Sequence, residues 1–256
     1  MADIILCKIS DIAPGSVIRV EHGELGLAVY NIDGTFYATA DRCTHGLSSL
    51  SEGSLMGDEI ECSMHFGTFD VKTGAPTGAH LEFCRGIRNP VGVKVGPDTT
   101  VDALLATIRT LSPDNEPGRV VLVTRFGAHR IGREFPKLLR AVRAEGLAVA
   151  WVCDPMHGNT ETVVPTGGAW AGKSVKTRKF AHVLAEVEQA IEIHRTEGTQ
   201  LAGVHVELTG ENVTECTGGA RGLTDDDLSR AYRSHVDPRL NYEQALELAM
   251  LIARRV

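Results

Sequence analysis

The sequence predicts a chain of two parts, in which a small all-β domain precedes an α/β domain that corresponds to half of a (β/α)8 barrel. Residues 1–79 contain short, turn-bounded strand candidates such as SVIRVEH, LGLAVYNI and TFYATADR. Residues 80–256 instead alternate near-continuous apolar runs with long helical stretches. The apolar runs VGVKV, RVVLVTR, LAVAWVC and GVHVEL are typical of strands buried on both faces, so four β-α units follow one another.

Composition limits the possible partners. A hydrophobic content of 43% with 23% charged residues is that of a globular chain, which excludes disordered and collagen-like classes. The net charge of −7 and the missing basic stripe argue against nucleic acid as a partner. No apolar run approaches the ~20 residues of a membrane span, and MADIILCKISD lacks the basic start of a signal peptide. We therefore expect a cytoplasmic protein without a membrane partner.

Paired Cys and His residues occur within the β-domain. Cys43 and His45 form a C-x-H motif, Cys62 and His65 form a C-x-x-H motif, and sixteen residues lie between His45 and Cys62. Two thiolates for one iron and two imidazoles for the other is the ligation of a Rieske [2Fe–2S] centre. A zinc site also accepts two Cys and two His, although zinc fingers usually group the Cys together and the His together. Four unrelated residues remain a further alternative.

The residues around these motifs also resemble those of a known protein family. CTHG, CSMHFGTFD and VKTGAPTGA resemble the Rieske ferredoxins that pass electrons to ring-hydroxylating dioxygenases. The resemblance implies a [2Fe–2S] cluster held by Cys43, His45, Cys62 and His65, with the two His as the electron exit. It also implies a redox partner, such as a flavin reductase or an oxygenase. After GAPTGA the family continues with closing strands, whereas this chain continues with HLEF.

Polar residues follow the strands of the α/β domain. Lys94 and Arg125 lie at the ends of the first two strands, His157 follows the third, Glu207 ends the fourth and Asp237 lies in DPRLN. The carboxyl ends of strands carry the active site in α/β barrels. One imidazole and two carboxylates suit manganese, cobalt or iron(II), and the two basic residues suit a phosphate. Spacing alone also allows each residue an ordinary surface or core role.

Longer motifs here resemble the class II (plant-type) 3-deoxy-D-arabino-heptulosonate 7-phosphate (DAHP) synthases. These motifs are RGIRNPVGVKVGP, DNEPGRVVLVTRFGAHR, WVCDPMHGNT, HVELTGENVTEC and DPRLN. Enzymes of this family catalyse the condensation of phosphoenolpyruvate with erythrose 4-phosphate. This reaction belongs to the shikimate pathway, which leads to aromatic amino acids. The resemblance implies a transferase with metal ligands His157, Glu207 and Asp237, and with Lys94 and Arg125 as catalytic residues that contact phosphoenolpyruvate. It covers residues 78–256, so the family's N-terminal half, with its Cys metal ligand, has no counterpart.

Several alternatives stay open at this stage. Residues 90–96 suit either a closing strand of the β-domain or the first barrel strand, and the helix predicted from Asp98 onward favours the barrel. Half a barrel leaves unpaired sheet edges, so we expect a homo-oligomer or a complementing chain. Residues 167–174 match the P-loop pattern, but a Gly-rich loop is the favoured interpretation. The alternative function is ferredoxin-type electron transfer with an incomplete synthase remnant.

Overall fold

The computed structural model describes residues 5–23, 25–43, 48–64, 67–74, 76–77 and 79–255. These divide into two compact units. The first comprises Met1–Val91 and Asp98–Arg119, and the second comprises Gly92–Pro97 and Val120–Val256. The boundary predicted between residues 79 and 80 falls inside the first unit. No helix within the described ranges combines the length and the apolar composition needed to cross a membrane.

The first unit begins with two small antiparallel sheets, as the sequence predicted. One sheet has the order β1-β2-β3 and the other has the order β4-β5-β6-β7. Asp33 and Gly34 both have positive φ, which is the backbone that a tight β-hairpin turn requires. The strands are β1 (Ser16–His22), β2 (Leu25–Ile32), β3 (Thr35–Ala40), β4 (Ser54–Met56), β5 (Glu59–Glu61), β6 (Thr68–Asp70) and β7 (Pro76–Thr77).

Beyond β7 the first unit continues into helices instead of further strands. These are α1 (Ala79–Gly86) and α2 (Val101–Leu111), and Thr100 caps α2 by accepting a hydrogen bond from Ala103 N. The buried Arg119 guanidinium fixes the ends of both helices. It donates to four backbone carbonyl groups, those of Cys84, Arg85, Asn89 and Leu111.

The second unit is built on a four-stranded sheet with the order β13-β10-β9-β8. Its strands are β8 (Val91–Val95), β9 (Val120–Thr124), β10 (Val149–Cys153) and β13 (Leu201–Val204). β10 pairs in parallel with β9 and with β13, and Arg125 N donates to Val95 O beyond β9. The favoured assignment of residues 90–96 to the sheet of the α/β part therefore agrees with the structure.

An antiparallel hairpin separates β10 from the next helix. It consists of β11 (Thr160–Val163) and β12 (Val175–Arg178). The helices of this unit are α3 (Ile131–Ala144), α4 (Phe180–Thr196) and α5 (Tyr242–Arg255). Asn241 and Gln244 exchange side-chain and backbone hydrogen bonds at the start of α5, and this exchange caps the helix.

The sheet of the second unit is open. Within the described residues β8 and β13 each have one neighbouring strand, and the strands do not close into a barrel. The α/β class with a parallel sheet is confirmed, whereas the half-barrel remains a prediction. Because β9, β10 and β13 run parallel, their carboxyl ends share one edge, and this edge carries the polar residues predicted to be functional.

Candidate metal and substrate site

Three predicted ligands meet at the carboxyl edge of the sheet. His157 begins a short 3-10 helix after β10, Glu207 follows β13, and Asp237 lies in the segment before α5. One ligand atom from each lies within 4.8 Å of the others. His157 Nε2 is 3.3 Å from Glu207 Oε1 and 3.6 Å from Asp237 Oδ2. Residues separated by 80 positions in the sequence thus form one cluster.

The donor set fits a divalent metal. Donor atoms about 2.1 Å from a common ion and at right angles to each other lie about 3 Å apart, close to the separations seen here. One imidazole nitrogen with carboxylate oxygens is the chemistry that manganese, cobalt and iron(II) accept. Burial keeps the nearby thiols protonated in the metal-free chain, since it raises the pKa of Cys216 to about 12 and that of Cys153 well above its usual value.

Asp154 was given no role from the sequence, but its carboxylate contacts both His157 and Lys94 beside the cluster. Its carboxylate is fully buried, and its Oδ2 accepts hydrogen bonds from His157 Nδ1 at 2.7 Å and Lys94 Nζ at 2.5 Å. Its Oδ1 accepts from the backbone N–H groups of Met156 and His157. A carboxylate behind a ligand imidazole fixes the ring so that the other nitrogen faces the metal. An Asp three residues before a candidate ligand His was the available sequence signal.

These contacts shift three pKa values. Hydrogen bonds from His157 to Asp154 and Glu207 raise the pKa of the imidazole to about 9. Burial disfavours the ionised form of Asp154, but its bonds to His157 and Lys94 outweigh burial and hold its pKa well below the usual value. Burial likewise opposes ionisation of Glu207, and bonds to His157 and Arg178 overcome it and lower the pKa to about 2. Both carboxylates are therefore anionic at neutral pH.

Each carboxylate of the cluster has a basic partner. Lys94 contacts Asp154, Lys176 contacts Asp237, and Arg178 Nη1 lies 2.6 Å from Glu207 Oε2. Arg178 is fully buried and also donates to Thr160 Oγ1 and to the carbonyl oxygen of Pro238. The hairpin strand β12 carries both Lys176 and Arg178, which the sequence analysis missed because a four-residue strand leaves too weak a periodic signal.

Hydrogen bonds to one buried glutamate join the loops that follow β9 and β10. Buried Glu186 accepts hydrogen bonds from the backbone N–H groups of Phe126 and Gly127 at 2.9 Å and from Asn159 Nδ2 at 2.6 Å. Burial raises the pKa of this carboxyl group to about 7. Gly127 has a φ of 82°, and a Cβ there would lie 2.5 Å from Gly158 O, so the close approach of the loops requires glycine.

The two residues predicted to hold phosphate lie on neighbouring strands. Lys94 is in β8 and is joined to His157 through Asp154, whereas Arg125 follows β9 and is partly buried. A surface cavity of about 510 Å³ adjoins the other side of the cluster, where Glu207, Asp237 and Arg239 line it. The carboxyl edge thus combines a ligand cluster, basic groups and open space.

The predicted iron–sulfur ligands are described in part. Cys43 and Cys62 are both buried, 4% and 1% exposed, and both belong to one core cluster with Ile60 and Phe69. Cys43 N donates to Ser48 O, and Cys62 N donates to Gly67 O, so each Cys opens a tight loop. His45 and His65 lie outside the described residues. Two buried thiols that open neighbouring loops fit the Cys half of a Rieske centre.

The P-loop match has a different structural context. Residues 167–174 connect the antiparallel strands β11 and β12, instead of joining a strand to a helix. The backbone N–H groups of Thr166 and Gly167 donate to the Asp226 carboxylate. The favoured interpretation as a Gly-rich loop therefore agrees with the structure.

Comparisons with known proteins match both parts. A family model described as "Class-II DAHP synthetase family" matches residues 47–253, and a "Rieske [2Fe-2S] domain" model matches residues 3–82. In a solved complex of reduced oxygenase and oxidized ferredoxin in carbazole 1,9a-dioxygenase, the matching chain is 51% identical. That match covers 30% of this chain and 71% of the other, with a TM-score of 0.29. A Rieske domain carries a [2Fe–2S] cluster, and the class II family depends on a divalent metal.

Curated relatives support the larger match. A phospho-2-dehydro-3-deoxyheptonate aldolase of Neurospora crassa is 49% identical over 193 residues, 75% of this chain and 38% of the relative. The aldolase AroG of Mycolicibacterium smegmatis is 44% identical over 213 residues, 83% of this chain and 44% of the relative. The chain thus spans less than half the length of either protein. It belongs to the class II DAHP synthetase family and bears a Rieske [2Fe–2S] domain at its N-terminal end.

Proposed function

We propose that the second unit catalyses the metal-dependent condensation of phosphoenolpyruvate with erythrose 4-phosphate to DAHP. The observation that carries this proposal is the cluster of His157, Glu207 and Asp237, with Asp154 behind the imidazole. A divalent ion held there would supply Lewis-acid polarisation of the aldehyde carbonyl. The relatives that share this part of the chain are named for the corresponding aldolase activity.

Lys94 and Arg125 are assigned to the phosphate of phosphoenolpyruvate. Lys94 lies near the end of β8 and Arg125 directly follows β9, and Lys94 shares the Asp154 carboxylate with His157. Through this shared carboxylate, the phosphate-binding side chain and the ligand imidazole are held in one geometry. Fixed placement of reactants is the main contribution a protein scaffold makes to such a condensation.

A second chain completes the site in this proposal, either another copy or a separate polypeptide. The described sheet is open at β8 and β13. Leu208 is 50% exposed beside Glu207, and Val236 is 79% exposed beside Asp237. Apolar side chains next to polar ligands favour a covering partner, as do the unpaired strand edges. The matches cover 38% and 44% of the two relatives, which contain further chain of their own.

The N-terminal domain is assigned a [2Fe–2S] cluster with the ligands Cys43, His45, Cys62 and His65. The buried pair Cys43 and Cys62 supports the thiolate half. A second candidate function, electron transfer to an oxygenase or from a flavin reductase, is favoured by the Rieske [2Fe–2S] domain match over residues 3–82. A sample reconstituted with iron and sulfide and then reduced with dithionite should show a Rieske-type electron paramagnetic resonance (EPR) signal, which Cys62→Ser removes. A folded sample without that signal would contradict this assignment.

The synthase proposal is tested by incubating the purified chain with Mn²⁺, phosphoenolpyruvate and erythrose 4-phosphate. DAHP formation is compared with that of Glu207→Ala, which removes one ligand and should abolish the product. Glu192→Ala, which removes an exposed carboxylate on α4, is the matched control and should leave the rate unchanged. Absence of product from a folded, Mn²⁺-loaded sample would contradict the form of the proposal in which another copy completes the site, and would make a separate polypeptide the required partner.

A further inference from the structure

The segment that carries Asp237 has no regular secondary structure, and yet its ligand meets two others. Residues 231–240 contain neither a helix nor a strand that would hold Asp237 in place. On the far side, Leu240 N donates to Glu207 O at 2.9 Å, so the segment is tied to the Glu207 strand extension at its end. The position of Asp237 therefore depends on what fixes residues 233–239.

Glu215 fixes these residues. Its carboxylate is fully buried, and its Oε1 accepts hydrogen bonds from Arg233 N at 2.9 Å and Ser234 N at 2.8 Å. Its Oε2 accepts from Arg239 N at 2.8 Å and from Arg239 Nε at 3.0 Å, and Arg239 Nη2 returns to Oε1 at 2.9 Å. One side chain thus holds the backbone on both sides of Asp237. Carboxylates that accept several backbone N–H groups form the stronger class of hydrogen bond.

Glu215 itself lies in a rigid buried segment. Residues 213–217 are all buried, and Thr177 Oγ1 donates to Glu215 O at 2.8 Å. Thr217 N donates to Arg178 O at 3.0 Å, so the same segment is bonded to the strand whose Arg178 contacts Glu207. The buried segment therefore connects the supports of two ligands, Glu207 and Asp237.

We propose that Glu215 is a positioning residue of the metal site, since its carboxylate sets residues 233–239 so that Asp237 meets His157 and Glu207. Glu215 does not touch the cluster, and it acts only through the backbone that carries Asp237. This inference rests on the proposed function, because it requires that the cluster binds metal. Partners that orient ligands typically change metal affinity by about 10–100-fold when they are removed.

The test measures binding of Mn²⁺ to the full chain by the EPR signal of free Mn²⁺. Glu215→Gln replaces one acceptor oxygen with an amide that faces N–H donors, and the Kd should rise at least about 10-fold. The absorption spectrum of bound Co²⁺ should change as well, because Asp237 no longer reaches the ion in the same geometry. A role limited to stability would move the melting temperature and leave this spectrum unchanged.

The chain offers a matched control. Glu197 forms a bidentate pair with Arg140, as Glu215 does with Arg239, but it caps the far end of α4. Glu197→Gln should leave both the Kd and the Co²⁺ spectrum as in the unsubstituted chain. If Glu215→Gln does not fold, Arg239→Gln takes its place, because it keeps the three backbone bonds to Glu215. It should still weaken Mn²⁺ binding by a few-fold and alter the spectrum.

Each outcome decides the inference. A folded Glu215→Gln chain, or failing that a folded Arg239→Gln chain, with unchanged Kd and spectrum would overturn the positioning role alone. An unsubstituted chain that binds no Mn²⁺ would overturn the proposed metal site, and the positioning role with it. Weaker binding with an altered spectrum, and no effect of Glu197→Gln, would establish it.

Discussion

The buried carboxylate of Asp154 accepts a 2.7 Å hydrogen bond from His157 Nδ1, so that His157 Nε2 faces the Glu207 and Asp237 carboxylates. This hydrogen bond therefore determines which nitrogen of the imidazole faces the other two candidate ligands. Without it the imidazole would be free to rotate about its side-chain bonds, and the ligand nitrogen would have no fixed orientation.

Asp154→Asn is expected to weaken Mn²⁺ binding by about 10-fold or more. The Asn amide group presents a donor where His157 and Lys94 also donate, which disrupts the orientation of the imidazole. Calorimetric titration with Mn²⁺ measures the change. Asp114→Asn, an exposed residue before β9, serves as the control. Unchanged affinity in a folded Asp154→Asn chain would refute the role of this carboxylate.

Arg178→Met should reduce the free energy of unfolding by about 3 kcal/mol in metal-free buffer. The substitution removes the buried cation beside Glu207 and leaves that carboxylate and the Pro238 carbonyl without their donor. Saturating Mn²⁺ should recover part of the loss, since a bound cation supplies the missing positive charge. Urea unfolding with and without Mn²⁺ measures both effects. Arg140→Met, which breaks an exposed pair, should cost less than about 1 kcal/mol.

Gly127→Ala should destabilise the second unit more than Gly172→Ala. Gly127 has a φ of 82° and Gly172 has a φ of 75°, so both substitutions carry the strain of the left-handed region, about 1–2 kcal/mol. Only at Gly127 would the added Cβ meet another backbone, 2.5 Å from Gly158 O. Guanidinium unfolding of the two variants isolates the cost of this contact. Equal losses would show that the loops separate without cost.

Stability should fall between pH 6.5 and pH 4 because of His194. Burial lowers the pKa of this imidazole to about 4, and its ring packs between Phe135 and Trp151. Above pH 6.5 the residue is neutral in both states and costs nothing. As pH falls, the unfolded chain binds a proton that the folded chain does not, which costs at most about 3 kcal/mol near pH 4.

Comparing the unfolding free energy of the unsubstituted chain with that of His194→Phe measures this pH term. Phe preserves an aromatic ring in the cluster and removes the titrating group, so the difference between the two chains should shrink or reverse as pH falls. Thr199 Oγ1 loses its contact with the imidazole in the variant and keeps its bond to the backbone carbonyl of residue 194, so any cost is equal at every pH. Parallel curves for the two chains would contradict the assignment.

The sequence predicted those elements whose pattern of apolar residues extends over many consecutive positions. The helices Phe180–Thr196 and Tyr242–Arg255 belong to the long helical stretches that the sequence predicted between and after the apolar runs. The candidate ligands His157, Glu207 and Asp237 were predicted from their positions after the strands and from the family motifs. The structure then brought them within 4.8 Å of one another.

What sequence missed depends on contacts between distant segments. Strands β11 and β12 have four residues each, and they become strands by pairing with one another. The predicted strand GVHVEL ends at Val204, because the chain leaves β10 there and Leu240 N bonds to Glu207 O instead. Helix α1 was not predicted, and the carbonyl groups at its end are held by Arg119, which is more than thirty residues away. None of these contacts can be predicted from a short stretch of consecutive residues.

Each carboxylate at the candidate site is paired with a Lys or Arg, and this pairing bears on whether the unit needs metal in order to fold. In small zinc domains the ion completes the fold, and a chelator unfolds the chain. Here the basic side chains already neutralise Asp154, Glu207 and Asp237. For the proposed metal site we therefore expect that this unit folds without the ion and that metal binding is a later, reversible step.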